Sequence, residues 1–412
     1  MSKEFRWAAV LAVLALSQMA IGAATAQIVV GGGATLPEFL YDEILPSGVG
    51  LGDYSYSGTG SGIGKSAFLS NIAPREGTAK ARYYNESLGS DNDAYLWPAT
   101  QSVHFAGSES ALTVAERDAY NVAHLSTWGR LIQIPVVATA VLVPYKRTGI
   151  NNLDLSDAQM CAVFGNKPGG QTWGQLRGTA DTTPVNVVYR TEESGVTELL
   201  SRYLVTACPS TGFVVSGSFA KMVAGAVGSE LPVNWIPVRG SAGMSSAFAS
   251  AGVADGRIGY QSPDPAYTDS SNAAVAKING TMPVAASMRA VLAAVSLPVG
   301  GVSQAGNPLA WLPAYVKPVP AIYPIFGTSN LLVSQCYRDA RVQAKVKAFL
   351  AGLLGTAYDL PIASHNLVVL PDGRGGMNNW KAQIANVFLN ASHPLGIGNA
   401  NVCNGIGRPM GN

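Results

Sequence analysis

Three loops rich in glycine, serine and threonine lead into helical patterns, and each could bind a small anion. They occupy residues 31–38 (GGGATLPE), 57–66 (SGTGSGIGKS) and 190–196 (RTEESGV). The start of a helix offers free backbone N–H groups and the positive end of the helix dipole, both of which attract oxyanions. Arg190 adds a planar guanidinium that can donate two parallel hydrogen bonds to one oxyanion. One such loop is more typical of an ordinary cap or turn, but three loops and an arginine together indicate an oxyanion site.

Two carboxylates and a histidine lie near these loops in the sequence. Thr35 and Glu38 have the spacing of a capping box, so we expect Thr35 to cap a helix over residues 38–44. Glu109 follows a predicted strand and is the most plausible carboxylate of the site. His104 fits a histidine packed at the end of that strand better than a catalytic base.

Composition and motifs exclude several classes of function. With 27 basic and 25 acidic residues and no basic run, the chain lacks the concentrated positive face of a nucleic-acid-binding protein. Its 4 His and 4 Cys are too few and too scattered for a zinc cluster or a two-metal hydrolase, and no cofactor is expected. Residues 64–66 (GKS) resemble the end of a P-loop, but Thr59 stands where that loop has its first glycine. The nucleophile elbow Gly-x-Ser-x-Gly of α/β hydrolases does not occur.

The N-terminal residues have the pattern of a secretory signal peptide. Lys3 and Arg6 form a short basic region, residues 7–24 are apolar, and a triplet of small residues ends at Ala26, after which we expect cleavage. A transmembrane anchor is the alternative, but the polar pair at residues 17–18 (SQ) interrupts the apolar segment. No second stretch of about 18 apolar residues follows. We therefore expect a periplasmic or secreted protein whose mature chain does not insert into a membrane.

The cysteines predict structural disulfides rather than a catalytic role. Cys161, Cys208, Cys336 and Cys403 are even in number and lack Cys-x-x-Cys spacing. In an oxidising compartment, this pattern indicates two structural bridges and leaves no free thiol for catalysis. Three pairings are possible, and we favour pairing between neighbours in the sequence.

Strand-like runs alternate with helical patterns, which predicts an α/β protein with mostly parallel sheets. Within the predicted strand at residues 132–145, the apolar run at 134–143 is long for one strand, so we expect it to cross between two domains and the run at 323–333 to return. The other predicted strands are residues 27–30, 53–57, 102–106, 185–189, 232–237 and 257–261. The predicted helices are residues 38–44, 113–122, 157–164, 196–205 and 341–354.

Residues 31–37 (GGGATLP) resemble the N-terminal signature of the DING proteins, a branch of the periplasmic phosphate-binding proteins of bacterial phosphate ABC transporters. The resemblance extends over essentially the whole mature chain. It implies a type II periplasmic-binding-protein fold, in which two α/β lobes joined by two crossover strands hold phosphate in the cleft. Further matching segments are residues 105–108 (FAGS), 188–190 (VYR), 334–337 (SQCY) and 397–405 (IGNANVCNG).

The resemblance also implies a domain division, a disulfide pattern and a site. Lobe 1 would comprise residues 27–146 and 322–412, and lobe 2 residues 147–321. The implied bridges are Cys161–Cys208 and Cys336–Cys403. The implied phosphate ligands are Thr35, Leu36, Ser61 and Glu109 from lobe 1, and Arg190, Ser194, Gly195 and Val196 from lobe 2. Such a protein would be a monomer that captures inorganic phosphate for scavenging or for delivery to a phosphate ABC permease.

Three positions depart from the family pattern. Residues 28–31 read IVVG instead of Asp-Ile-Asn-Gly, Glu109 replaces an aspartate, and Val196 replaces a threonine. A hydrogen bond to a charged group contributes about 1.5–3 kcal/mol, so loss of the threonine hydroxyl is expected to weaken phosphate binding roughly tenfold or more.

Two other hypotheses belong to different functional classes. Some DING relatives are described as phosphomonoesterases, and Ser61 or Ser194 would then be the nucleophile. Catalysis needs an activated nucleophile or a metal, and no obvious base or metal cluster accompanies either serine, which favours binding. The third hypothesis is an adhesion or matrix protein built on the same scaffold.

Overall fold

The structure is a computed structural model, and it describes residues 29–45, 54–72, 83–85, 90–92, 102–249, 255–294, 297–298, 301–312, 322–374 and 378–410. The predicted signal peptide at residues 1–26 lies outside the described residues. None of the described helices is both long enough and apolar enough to cross a membrane.

Helices and strands alternate over most of the described chain. The strands are β1 (Val29–Gly33), β2 (Tyr54–Ser57), β3 (Tyr83–Asn85), β4 (Ser90–Asn92), β5 (Phe105–Ser108), β6 (Leu131–Ala140), β7 (Pro144–Lys146), β8 (Asp154–Leu155), β9 (Asn186–Arg190), β10 (Ile236–Val238), β11 (Arg257–Ile258), β12 (Ala274–Val275), β13 (Lys277–Ile278), β14 (Phe326–Ser334) and β15 (Val368–Val369). The helices are α1 (Glu38–Ile44), α2 (Ser61–Ser70), α3 (Val114–Trp128), α4 (Asp157–Phe164), α5 (Trp173–Arg177), α6 (Gly195–Ala207), α7 (Phe219–Val227), α8 (Gly240–Ala249), α9 (Pro265–Ser271), α10 (Ala285–Ala294), α11 (Gly301–Ala305), α12 (Ala340–Leu354), α13 (Asp359–Ser364) and α14 (Trp380–Phe388), with a 3₁₀ turn at Pro308–Trp311.

Two mixed sheets form the framework of the molecule. The first has six strands in the order β15-β6-β14-β5-β1-β2, and the second has five in the order β10-β9-β11-β7-β12. Parallel pairing is confined to β1 with β2 and β5 in the first sheet, and to β9 with β10 and β11 in the second. The remaining pairings of these two sheets are antiparallel. The prediction of mostly parallel sheets is therefore wrong.

The crossing strands explain the mixed polarity. The chain leaves the first sheet at the end of β6, enters the second sheet at β7, and returns to the first sheet through β14. Since β6 and β14 are neighbours that carry the chain in opposite directions, they must pair antiparallel, and they do so along nearly their whole length. Two hydrogen bonds join the segments where they cross: Val141 N–H donates to Ile325 O at 2.8 Å, and the Tyr323 hydroxyl donates to Val141 O at 2.7 Å.

The ends of several helices follow from local sequence. Thr113 caps α3 in a full capping box with Glu116, and Ser156 caps α4 in the same way with Gln159. Ser194 caps α6 through its side chain. These caps satisfy N–H groups that have no partner inside the helix, which sets where each helix begins.

Two disulfides and a large hydrophobic core stabilise the fold. Cys161 in α4 is bonded to Cys208 at the end of α6, and Cys336 after β14 is bonded to Cys403 in the C-terminal segment. This confirms the pairing of neighbouring cysteines, and no described cysteine is free. The largest core cluster includes buried side chains of both sheets, such as Ile134 from β6.

Candidate functional site

The carboxyl ends of β1, β2 and β5 lie side by side at one edge of the first sheet. Because these strands are parallel neighbours, the loops that follow them meet at that edge. Thr35 follows β1, Ser61 begins α2 after β2, and Glu109 comes directly after β5. All three are buried. The structure thus brings together three side chains that the sequence placed in separate loops.

Glu109 is held by two serine hydroxyls. Ser61 Oγ donates to Oε2 at 3.0 Å, and Ser329 Oγ donates to Oε1 at 2.7 Å. Burial raises the pKa of Glu109 to about 7, while the hydrogen bonds from Ser329 and Ser61 and the charge of Arg190 act in the opposite direction. The Glu109 carboxyl is therefore close to its titration point at neutral pH.

Arg190, from the second sheet, contributes a guanidinium group to the candidate site. It is the last residue of β9 and is buried. Its Nε and NH2 groups donate to Glu192 Oε1, and its NH1 group donates to Ser241 Oγ at 3.2 Å. NH2 also approaches Thr35 Oγ1 at 3.5 Å. The arginine is therefore oriented by a carboxylate of its own loop and by hydroxyls on both sides of the cleft.

The N-terminus of α6 faces Glu109 and Ser61 directly. Gly195 is its first residue, and a Cβ atom there would lie 2.5 Å from both Glu109 Oε2 and Ser61 Oγ. No side chain fits at this approach, so glycine is required by contact with the opposite loop. The Ser194 hydroxyl accepts from Thr197 N–H at 3.5 Å, and Val196 is buried.

Thr35 does not cap α1, contrary to the prediction. The N-cap of α1 is Pro37, without a side-chain cap. The Thr35 hydroxyl lies 2.9 Å from Ser241 Oγ instead, because it turns toward the second sheet rather than back onto its own helix. Leu36 is buried, and its carbonyl accepts from Ser262 Oγ at 3.3 Å.

Further hydrogen bonds join elements of the two sheets across the cleft. The Tyr267 hydroxyl on α9 reaches Glu38 Oε2 at 3.2 Å and Thr35 O at 3.3 Å. Glu198 on α6 accepts from Ala111 N–H at 3.2 Å. These contacts, together with the approach of Gly195 to Glu109, define a closed cleft.

His104 and Lys65, which the sequence did not assign to the site, have structural roles. His104 is buried, its Nδ1 accepts from Val30 N–H at 2.9 Å, and burial lowers its pKa to about 3. This confirms the packed strand-end histidine. Lys65 donates to Ala111 O at 3.1 Å and pairs with Glu116 at 3.0 Å, so the lysine of the P-loop-like segment ties α2 to the start of α3.

Sequence reasoning missed several polar residues that touch the predicted set, among them Glu192, Ser241, Tyr260 and Ser329. Glu192 had a local signal, since a carboxylate two residues after Arg190 is within reach of its guanidinium. The other three had none, because each lies more than 50 residues from the residue it contacts.

Comparisons with known proteins agree with this geometry. The family model described as a PBP superfamily domain matches residues 20–354. Alkaline phosphatase L of Pseudomonas aeruginosa is 39% identical over 402 residues, covering 96% of this chain and 97% of that protein. A phosphate-binding protein of an unknown prokaryotic organism is 37% identical over 407 residues, covering 92% of this chain and 99% of its own length.

A solved structure of a high-affinity periplasmic phosphate-binding protein, PfluDING bound with phosphate, is also similar. It superposes with a TM-score of 0.74 at 37% identity and covers 93% of this chain and 99% of that one. The fold, with two mixed sheets facing a closed cleft, is the one that the sequence resemblance implied. The chain belongs to the periplasmic-binding-protein superfamily and, within it, to the DING group of phosphate-binding proteins.

Proposed function

We propose that this protein captures inorganic phosphate between its two sheets. The observation that carries the proposal is the approach of Ser61 and Glu109, from the first sheet, to the N-terminus of α6. Arg190 stands beside Thr35 in the same cleft. Hydroxyls, helix N–H groups and one guanidinium suit a tetrahedral oxyanion. The relatives with the matching fold include proteins named for phosphate binding.

We propose the eight residues implied by the family resemblance as the ligand set. Hydroxyl donors would come from Thr35, Ser61 and Ser194, and backbone N–H groups from Leu36, Gly195 and Val196. Arg190 would donate through its guanidinium, and Glu109 would accept a proton of the ligand. Support comes from the contacts that already join Arg190 to Thr35 and Ser61 to Glu109.

Glu109 gives the proposed site a basis for selecting protonated oxyanions. Phosphate and arsenate carry a proton near neutral pH, whereas sulfate does not. An ionised carboxylate can only accept, so it favours a ligand that still has a proton to donate. Two like charges facing each other in a buried cleft would disfavour sulfate.

A phosphomonoesterase is the second candidate, and one contact favours it. The Ser61 hydroxyl donates to Glu109, a carboxyl whose pKa is raised to about 7, which is the arrangement of a nucleophile beside a base. Three relatives from Pseudomonas aeruginosa are named alkaline phosphatase L. Against this, the relatives with the matching fold include proteins named for phosphate binding, one of them solved with phosphate bound. We therefore favour binding over catalysis.

We also propose the wider setting of this activity. The signal-peptide pattern at residues 1–26 supports export to the periplasm or beyond, and a phosphate ABC permease would receive the ligand from a monomeric protein.

The lobes would follow the two sheets. Since β7 pairs within the second sheet, we place the first lobe boundary at residues 141–143 rather than at 146. The second boundary lies before β14.

Titration calorimetry with phosphate, arsenate and sulfate tests the proposal, alongside turnover of a chromogenic phosphomonoester. We expect one phosphate or arsenate per chain, weaker sulfate binding, and no turnover above the background without protein. Absence of phosphate binding would contradict the binding proposal. Turnover that is lost in Ser61→Ala would establish the phosphatase alternative.

A further inference from the structure

Ser329 lies outside the proposed ligand set but contacts its only carboxylate. It belongs to β14, is fully buried, and donates to Glu109 Oε1 at 2.7 Å. The other oxygen, Oε2, accepts from Ser61 at 3.0 Å. Each carboxylate oxygen thus has one hydroxyl donor, and the Ser329 bond is the shorter of the two.

An irregularity in β14 accompanies this contact. The pairing of β14 with β6 shifts register between Ser329 and Asn330. Asn330 is opposite Ser108 of β5, the residue before Glu109, and its amide donates to Ser108 O at 3.0 Å. Bulges change the direction of side chains next to functional sites. Here the bulge occurs where the Ser329 hydroxyl meets the carboxylate that follows β5.

A hydroxyl donor stabilises the ionised form of a buried carboxylate, whereas burial favours the neutral form. Within the described residues, the charged or titratable groups around Glu109 include Arg190 at the end of β9, Tyr41 on α1 and Tyr56 on β2. Farther along the same loop and cavity lie Arg202 and its partner Glu198 on α6, and Lys65 on α2. The tyrosines remain neutral because burial raises their pKa values. Loss of the Ser329 hydroxyl would leave Oε1 without its donor in a site that already disfavours charge.

We propose that Ser329 is a positioning residue that tunes anion specificity by raising the share of Glu109 that is ionised, and therefore an acceptor, near neutral pH. The proposal rests on the phosphate-binding function proposed above. The ionised carboxylate rejects oxyanions that carry no proton. Without the Ser329 hydroxyl, a larger share of Glu109 is protonated, and the protonated carboxyl can donate to sulfate.

Sulfate is the appropriate probe because its own charge does not change near neutral pH. Wild-type protein should bind sulfate more tightly as the pH falls through the titration of Glu109. In Ser329→Ala, we expect the midpoint of this profile to move up by about one pH unit, which makes sulfate binding about fivefold tighter near pH 8. The weaker donor in Ser329→Cys should produce a smaller shift in the same direction. Calorimetry across the pH range gives the midpoint for wild type and for each variant.

Two comparisons separate this role from a structural one. In a Glu109→Gln background, the sulfate profile should be flat, and Ser329→Ala should change it no further. Ser334→Ala removes another buried hydroxyl of β14, one that accepts from Arg408 Nε at 2.8 Å, and should leave the midpoint unchanged. If wild-type protein binds phosphate but the midpoints of Ser329→Ala and Ser329→Cys equal the wild-type midpoint, the role of Ser329 is contradicted and the proposed function is not. If wild type does not bind phosphate, the proposed function itself fails.

Discussion

Arg190 donates at the same time to Glu192, Ser241 and Thr35, so its charge is compensated before any ligand arrives. Glu192 is also fixed, since its Oε1 accepts from Gly240 N–H at 3.1 Å. An anion at this place would therefore be recognised by directed hydrogen bonds more than by a free positive charge. Directed bonds to a charged ligand contribute about 1.5–3 kcal/mol each.

Replacement of Arg190 by alanine is expected to weaken phosphate binding by about a hundredfold or more, because the ligand loses charge-assisted hydrogen bonds. The same change leaves the largely buried Glu192 side chain without its charged partner, which also lowers the free energy of unfolding. Calorimetry and thermal unfolding measure the two effects separately.

The double variant Arg190→Ala with Glu192→Ala removes the unpaired carboxylate and serves as the control. It should recover part of the stability but not the phosphate affinity. A single variant that binds phosphate within a few-fold of wild type would show that the site has been placed wrongly.

Val196 allows a test in which a substitution should increase the affinity for phosphate. Thr197 cannot supply the hydroxyl that Val196 lacks, because its own hydroxyl lies 2.9 Å from the Tyr260 hydroxyl in the core. Val196→Thr is expected to tighten phosphate binding about tenfold through one added donor. Thr197→Val, the matched exchange one residue on, should not change affinity. Unchanged or weaker binding by Val196→Thr would show that this side chain does not reach the ligand.

At the scale of elements, one histidine links three helices that lie on both sides of the cleft. His365 at the end of α13 bonds through Nδ1 to Asp264 Oδ2 at 2.7 Å and through Nε2 to Glu43 Oε2 at 3.0 Å. Asp264 caps α9 on the opposite side of the cleft. Burial lowers the pKa of His365, but the two carboxylates outweigh it and the net pKa is raised. The protonated ring can donate to both carboxylates, whereas the neutral ring can donate to only one.

We expect the stabilising effect of His365 to depend on pH. A raised pKa in the folded state means that the full contribution is present below the unfolded value, about 6.5, and is lost as the pH rises through the folded pKa. Denaturant unfolding of wild type and His365→Gln should therefore differ most in mild acid and converge in alkali. Glu109 titrates in both proteins, so its effect cancels in the difference. A difference that stays constant with pH would contradict this role of His365.

The elements around the site could be predicted largely from local patterns. The loops after β1, β2 and β9 combine apolar runs with glycine and hydroxyl residues, and the structure places them at one cleft. The polarity of the sheets was not predictable in this way. The two crossing runs were expected, but the strands beside which β6 and β14 lie are determined by tertiary contacts rather than by local sequence. The capping-box spacing of Thr35 was misleading for a related reason: its hydroxyl bonds Ser241, 206 residues away.

At the scale of the whole molecule, closure depends on glycine at position 195. A side chain there would overlap Glu109 and Ser61, so Gly195→Ala should prevent full closure and weaken phosphate binding about tenfold or more. Small-angle scattering should show phosphate-induced compaction in wild type and less in this variant. Gly243→Ala on α8, whose Cβ would lie at an ordinary 3.5 Å from Val238 Cβ, is the control and should close normally. Full compaction of Gly195→Ala would show that closure does not require this contact.

The location of the bound anion tests the central claim most directly. Crystals of the protein grown with arsenate, a phosphate analogue with an anomalous signal, give that location without ambiguity. We predict one arsenic peak between the two sheets, with arsenate oxygens within hydrogen-bond distance of Thr35, Arg190 and the first N–H groups of α6. A peak elsewhere, or an arsenate that touches residues of only one sheet, would contradict a phosphate site formed by closure of the cleft.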